Sequence, residues 1–248
     1  NVVPNSVIND TVAVLLSAAY VYGDISIGAI YATGHNTCYL EPYIGTAQPP
    51  MILNMESGGF CKLVPNRFDA ALDAASEKKG EQRLEKMVAG RYMGELFGMA
   101  LAELMGTPER RYEFTSVDLS RMLEDAGATA QAAATIVETI TGQMISVADA
   151  VRVRGLAEAI AVRSVRLIAA TFAGTLWHTS GSGAIRQQHI AVEGSVYEKM
   201  PHVKENMMRA FSELLGEDAP KVDTILAVGG SGLGAALAAA MTERAEQR

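Results

Sequence analysis

Thr224-Ile225-Leu226-Ala227-Val228, then Gly229-Gly230-Ser231-Gly232-Leu233-Gly234, then Ala235-Ala236-Leu237 decide the fold class. The first five residues form an apolar run of strand character. The next six are a glycine-rich turn, and the alanine-rich segment to about Arg244 has helix-forming composition. A strand running through glycines into a helix is the unit from which α/β proteins are built. Such a turn can present backbone N–H groups at a helix N-terminus, where an anion is favoured. No Lys-Ser or Lys-Thr follows it, so it is not a Walker A loop. The same glycines also suit tight strand–helix packing, and the spacing alone does not choose between the two readings.

Outward from this unit the pattern repeats. Ile185–Val192 reads as a strand, Glu193-Gly194-Ser195 as a turn, and Pro201–Leu215 as a helix with proline in its first turn. At the other end, Val2–Ile8 is strand-like, and Asn9-Asp10-Thr11 opens an apolar helix to about Tyr22. Ile25–Tyr31 and Thr37–Glu41 flank Ala32-Thr33-Gly34-His35-Asn36 as a hairpin. Glu41–Pro50, with three prolines, reads as a loop, and Met51–Met55 as a third strand that ends at Glu56-Ser57-Gly58-Gly59. The middle is helical. Leu84, Val88, Tyr92, Leu96 and Met99 recur at steps of three and four, which predicts one amphipathic helix over Glu81–Met105. Met122–Thr141 gives one or two short helices, and Val147–Thr179 a long one buried on several sides. Strands at both ends with helices between them predict an α/β fold, and 248 residues without a linker, repeat or charge run read as one domain over 1–248.

Composition narrows the function classes. Apolar residues make up 49%, enough for a sizeable core. A net charge of −7 offers no general attraction to nucleic acid or an anionic membrane. Two cysteines, Cys38 and Cys61, without a CxxC, argue against a disulfide framework or a cysteine zinc site and fit a reducing cytosol. No apolar stretch reads as approaching the ~18 residues of a membrane span. The four histidines are scattered and read as structural or surface residues, with no metal site expected; Trp177 and the twelve methionines read as core. The chain starts Asn1-Val2-Val3-Pro4 rather than with Met, which reads as a segment cut from something longer.

Several polar residues sit where ligands are bound. Asn9-Asp10-Thr11 follows a strand end, where an Asp can take a proton from a substrate hydroxyl. The same three residue types are preferred N-caps for the helix that follows. Glu56 follows an apolar strand and precedes two glycines. Gln82 and Glu85, three apart, can reach one ligand from one helix face, although an acid near a helix start also suits the dipole. Carboxylates and amides at element ends are what a sugar needs, since each can bond a hydroxyl or two adjacent ones.

Taken together and in order, Ile8-Asn9-Asp10-Thr11-Val12, Ala32-Thr33-Gly34-His35-Asn36-Thr37, Asn54-Met55-Glu56-Ser57-Gly58-Gly59, Gly80-Glu81-Gln82-Arg83-Leu84-Glu85-Lys86-Met87, Gly90-Arg91-Tyr92-Met93-Gly94-Glu95-Leu96, Val192-Glu193-Gly194-Ser195-Val196-Tyr197 and Gly230-Ser231-Gly232-Leu233-Gly234-Ala235 resemble the C-terminal, large-domain half of the eukaryotic-type hexokinase and glucokinase family. The resemblance covers about Asn1 to Met241. It implies an actin-like ATPase (ribonuclease H-like) fold, the large lobe of a two-lobe sugar kinase that phosphorylates the 6-hydroxyl of glucose or a similar hexose. It implies ATP as cofactor, with Mg²⁺ bound through the nucleotide, and a cytoplasmic enzyme.

By the same resemblance, Asp10 matches the catalytic base and Asn9 its sugar-binding neighbour. Asn36, Glu56 and Glu85 match sugar-hydroxyl ligands, with Gln82 beside them. Thr33 and Gly34 match the second phosphate loop, and Ser195, Gly230, Ser231 and Gly232 match positions around the adenosine and ribose. The family's first phosphate loop and small domain have no counterpart in these residues, so the isolated piece is expected to be inactive. Five positions depart from the family: Ala32, His35, Ser57, Gly229 and Leu233. Those on the nucleotide side motivate the alternative of a non-catalytic hexose-binding sensor.

Overall fold

The structure, a computed structural model, describes residues 6–42 and 50–246, with side chains to Glu243. Element order is α1 (Asp10–Tyr22), β1 (Ile25–Tyr31), β2 (His35–Glu41), β3 (Met51–Asn54), α2 (Arg67–Ala75), α3 (Arg83–Val88), α4 (Gly90–Leu104), α5 (Ser116–Glu124), α6 (Gln131–Thr141), α7 (Val147–Ser180), β4 (Gln188–Glu193), α8 (Ser195–Lys199), α9 (Val203–Leu215), β5 (Val222–Leu226) and α10 (Gly230–Glu246). The strands form one sheet in the order β3-β2-β1-β4-β5. β1, β2 and β3 pair antiparallel, with Tyr31 opposite His35 and Cys38 opposite Asn54; β4 lies parallel between β1 and β5. The α/β expectation and the hairpin hold.

Alternation along the strands divides the core. Ile27, Ala29 and Tyr31 of β1 and Ile190 and Val192 of β4 face the large layer containing α3–α7 and α9. The other face carries α1, through Val14, Leu15 and Ala18, each fully buried side chain contributing about 1.5–3 kcal/mol. α1 lies unusually close to its neighbours. A Cβ on Gly28 would fall 2.7 Å from the Thr11 carbonyl oxygen, and one on Gly234 of α10 only 1.9 Å from that of Ala13. Gly234 is therefore a packing glycine.

Five sequence readings need correction. Residues 6–9 form no strand; β1 is already paired on both sides, and Asn9 is taken by the α1 cap (residues 2–5 of the expected Val2–Ile8 strand lie outside the described residues, as does most of the expected 41–50 loop). The helix expected over 81–105 breaks at Ala89, whose backbone is extended (φ −76°, ψ 149°). Gly230–Gly234 is the first turn of α10 rather than a loop, the turn itself being 227–229. Trp177 is 50% exposed, on the outer side of the last turns of α7, and Met51, Met55, Met144 and Met241 are also exposed; Met93, Met122 and Met207 are core. Finally, α7 is long and apolar enough to span a membrane by length and composition, with a mean hydropathy of 1.4 over an 18-residue window. Its apolar residues are dispersed among small ones, so it shows no uninterrupted run. One face, from Ala150 through Val165 to Leu176, is buried in the main core, as in the central helix of a globular domain.

Candidate active site

At the pocket end of the sheet, the carboxyl ends of the parallel strands meet the start of α1, which is where open α/β sheets bind ligands. A cavity of about 780 Å³ opens there. Eight of the residues singled out from sequence line it: Asn9, Asp10, Thr33, Gly34, Asn36, Glu56, Gln82 and Glu85. They come from four separate segments.

Asn9 and Asp10 satisfy both sequence readings at once. Asn9 is the N-cap of α1, its Oδ1 accepting from the Thr11 N–H (3.0 Å) and hydroxyl (2.5 Å). That leaves its amide N–H groups without a protein partner among the described residues. Asp10 is the exposed first residue of the helix; its Oδ1 accepts from the Thr11 N–H at 2.8 Å, and its second oxygen is free for a ligand.

Across the cavity, three amides and carboxylates are chained together. Asn36 Nδ2 donates to Asn54 Oδ1 at 2.8 Å, and Asn54 Nδ2 donates to Glu56 Oε1 at 2.6 Å. Asn36 Oδ1 accepts from the Thr37 and Ser57 N–H groups. The side chains of Asn36 and Glu56 are thus oriented before any ligand arrives. Asn54, the centre of this chain, had been quoted in sequence without a role. Its position as the last β3 residue, two before Glu56 and opposite Cys38, was the available signal.

Glu85 sits in the first turn of α3, and its Oε2 accepts from the His35 N–H at 3.0 Å. Gln82 precedes that helix in left-handed conformation (φ 50°) rather than sharing its face, and Gly58 makes room for its amide: a Cβ there would lie 2.7 Å from Gln82 Oε1. Glu56 is also left-handed (φ 51°). Two of the four described non-glycine residues at positive φ therefore lie in this cavity, and such strain, about 1–3 kcal/mol each, collects at ligand sites.

The cavity also has cationic walls that the sequence reading missed. Arg91 and Lys78 line it, and Lys86, buried, donates from Nζ to Asp73 (2.6 Å) and to the Lys78 carbonyl (2.5 Å), bracing the 76–82 segment. That bond from Lys86 holds the Asp73 carboxyl below its ordinary range. Arg91 follows the Ala89 break, where the Gly90 and Arg91 N–H groups donate to the Ala32 and Thr33 carbonyls (2.8 and 3.3 Å). The Thr33 hydroxyl, Arg91 and Lys78 suit an anionic group such as a phosphate.

Ser195 and Gly230–Gly232 do not line this cavity. Gly194 (φ 140°) packs so tightly that a Cβ would sit 2.3 Å from the Tyr31 carbonyl oxygen, placing Ser195 beside the Ala32–Gly34 turn. The Ser231 N–H donates to Glu193 Oε2 at 2.8 Å. A carboxylate thus sits at the start of α10, the end of a helix that favours an anion. Among the described residues, no cluster of three or more His, Cys, Asp or Glu side chains could hold a metal ion.

The family model described as hexokinase matches residues 26–241. The chain is 30% identical to a chloroplastic hexokinase-2 of Nicotiana tabacum and 31% to hexokinase-2 of Rattus norvegicus, over 98% and 96% of its length. It spans 54% and 28% of those proteins. Among solved structures, one hexokinase superposes with a TM-score of 0.82 at 29% identity, covering 94% of this chain and 55% of that one. A hexokinase from Schistosoma mansoni complexed with glucose gives 0.82 at 25%, covering 95% and 57%.

Proposed function

The chain belongs to the hexokinase family, and from that premise we propose that residues 1–248 form the large lobe of an ATP-dependent kinase acting on the 6-hydroxyl of glucose or a similar hexose. The observation that carries the reading is the convergence of eight residues from four segments on one polar cavity. Phosphoryl transfer to an alcohol is mostly positioning and charge stabilisation, with one base aimed at the attacking hydroxyl. Asp10 supplies that base through its free oxygen. Asn9, Asn36, Glu56, Gln82 and Glu85 fix the sugar, the carboxylates accepting charge-assisted bonds from its hydroxyls. ATP with its Mg²⁺, when bound, supplies the phosphoryl group and neutralises the developing charge. Thr33, Gly34 and Arg91 face its phosphates, and Ser195 with Gly230–Gly232 its nucleoside. Because the chain spans about half the length of the tobacco relative, these residues make one wall of the cleft.

The test is glucose- and ATP-dependent ADP release by residues 1–248 alone and with any coding sequence upstream of Asn1 restored. Turnover is expected only when a second wall closes the cleft, since closure excludes water and completes the contacts. Robust turnover by residues 1–248 alone would remove the two-lobe mechanism. Glucose binding without turnover in the longer form would favour a sugar sensor.

A further inference from the structure

His35 is buried, with 3% of its surface exposed, directly beneath the polar cavity and bonded on three sides. Its ring Nδ1 lies 3.0 Å from the Ile30 carbonyl oxygen, which can only accept, so Nδ1 carries the proton and Nε2 the lone pair. Nε2 lies 3.4 Å from the Ser57 oxygen, whose single proton it shares with the bond that hydroxyl donates to Thr37 Oγ1 at 3.1 Å. Tyr31 closes the ring's edge, centroids 6.5 Å apart and planes at 82°. The backbone of the same residue does more. Its N–H donates to Glu85 Oε2, and the Ser57–Gly59 turn rests on its carbonyl, 2.8 Å from where a Gly58 Cβ would be.

We propose that His35 is a positioning residue that sets hexose affinity, its ring joining the end of β1 to the Ser57 turn and so holding Glu56 and Glu85 at their separation across the cavity. The inference rests on the hexose reading of that cavity. Glu56 is strained at positive φ and is the residue immediately before Ser57, so whatever fixes Ser57 fixes the peptide that aims the Glu56 carboxylate. Asn36, the residue after His35, is bound to the same turn through the Ser57 N–H. The ring thus bridges the β1 end and the turn after β3, while the backbone of the same residue holds Glu85 and its neighbour Asn36 holds the Ser57 N–H. Among the described residues the His35 ring bonds to Ile30 and Ser57 and not to Thr33, Arg91 or Ser195, so its loss should act on sugar more than on nucleotide.

The experiment uses the longer form with the coding sequence upstream of Asn1 restored, and measures glucose binding by calorimetry, and KM for glucose, KM for ATP and kcat, for the parent, its His35→Ala, His35→Gln and Ser57→Ala variants and the His35→Ala/Ser57→Ala double variant. His35→Ala is expected to weaken glucose binding about tenfold, the scale of one or two lost positioning bonds. KM for glucose should rise in step while KM for ATP and kcat move less than about twofold, because uniform binding is what is lost. His35→Gln, whose amide can serve either the Ile30 carbonyl or Ser57, should recover part of the loss. Ser57→Ala should cost at least about twofold in glucose affinity, with no further loss on the His35→Ala background. Glucose affinity in folded His35→Ala within about twofold of the parent overturns the inference alone. If that variant does not fold, Ser57→Ala decides: a loss of about twofold or more supports the inference and anything smaller overturns it. A parent protein that binds no glucose overturns the hexose reading, and this inference with it.

Discussion

His35→Gln should flatten the acid side of the protein's stability curve. Burial of the imidazole holds its pKa down at about 4, against an ordinary 6.5, although the bond to the Ile30 carbonyl works in the opposite direction. The unfolded chain therefore takes up a proton below about pH 6.5 that the folded chain refuses until about pH 4. Stability rises with pH wherever the unfolded state binds more protons, so the His35 contribution is complete above about 6.5 and is lost as pH falls towards 4. Each pH unit in that window is worth about 1.4 kcal/mol, so the whole descent reaches about 3 kcal/mol. This is a sizeable part of the 5–15 kcal/mol that holds a typical domain together. Urea unfolding at pH 7.0, 5.5 and 4.5 measures it. Parent and variant differ at this one residue, so the difference between the two curves isolates the histidine. The parent should lose about 2–3 kcal/mol more than the variant between pH 7.0 and 4.5. Parallel curves would refute the reasoning, because they would mean that the ring is solvated or charged in the folded state.

Other outcomes follow from named contacts. Asp10→Asn keeps an acceptor for the Thr11 N–H, so α1 should stay intact while turnover of the longer form in an ADP-release assay falls about 10²–10⁴-fold and glucose affinity moves little. Glu56→Ala and Glu85→Ala should each weaken glucose binding by about 1.5–3 kcal/mol in calorimetry, with the Gln variants losing less. Gly234→Ala places a Cβ 1.9 Å from the Ala13 carbonyl oxygen and should force α10 off α1, lowering stability by about 1–3 kcal/mol in thermal unfolding.

What the sequence made legible was whatever local chemistry controls. The turn and cap signals placed α1, β1 and β2 within two residues, because Asn9 caps its helix with its own side chain and the hairpin is fixed by the register of Tyr31 on His35. The long α7 was visible because Val147–Ser180 holds no proline and is rich in alanine, leucine and arginine, so neither glycine, Gly155 or Gly174, ends it. The membership of the cavity was legible only through the order of the motifs taken together, since no single one of Asn36, Glu56 or Glu85 rises above a polar residue at an element end. Trp177 failed for the opposite reason: residue type suggests burial, whereas position on the helix decides it, and its neighbour Leu176 took the inward direction.

The break at Ala89 shows where such reading must stop. Side-chain periodicity reports which face is apolar, and it is blind to whether the peptide between Val88 and Gly90 is helical. What turns that peptide out is tertiary. The Gly90 and Arg91 N–H groups are needed by the carbonyls of Ala32 and Thr33, in a turn almost sixty residues earlier, and the Val88 carbonyl is held by the Ser164 hydroxyl, itself 2.7 Å from the Tyr31 hydroxyl. Every chain residue has the same backbone N–H and C=O, so nothing in the letters marks these bonds. Yet they bring Arg91 to the mouth of the cavity and seat α4 against the start of α8, where a Cβ on Gly90 would meet Val196 at 2.7 Å. The Asn36, Glu56 and Glu85 wall is written in side chains and can be read from sequence. The opposite wall is held by backbone bonds meeting at Tyr31–Thr33, which place the Thr33 and Arg91 side chains, so it emerges only when the strands, the broken helix and the Gly194 turn are placed together.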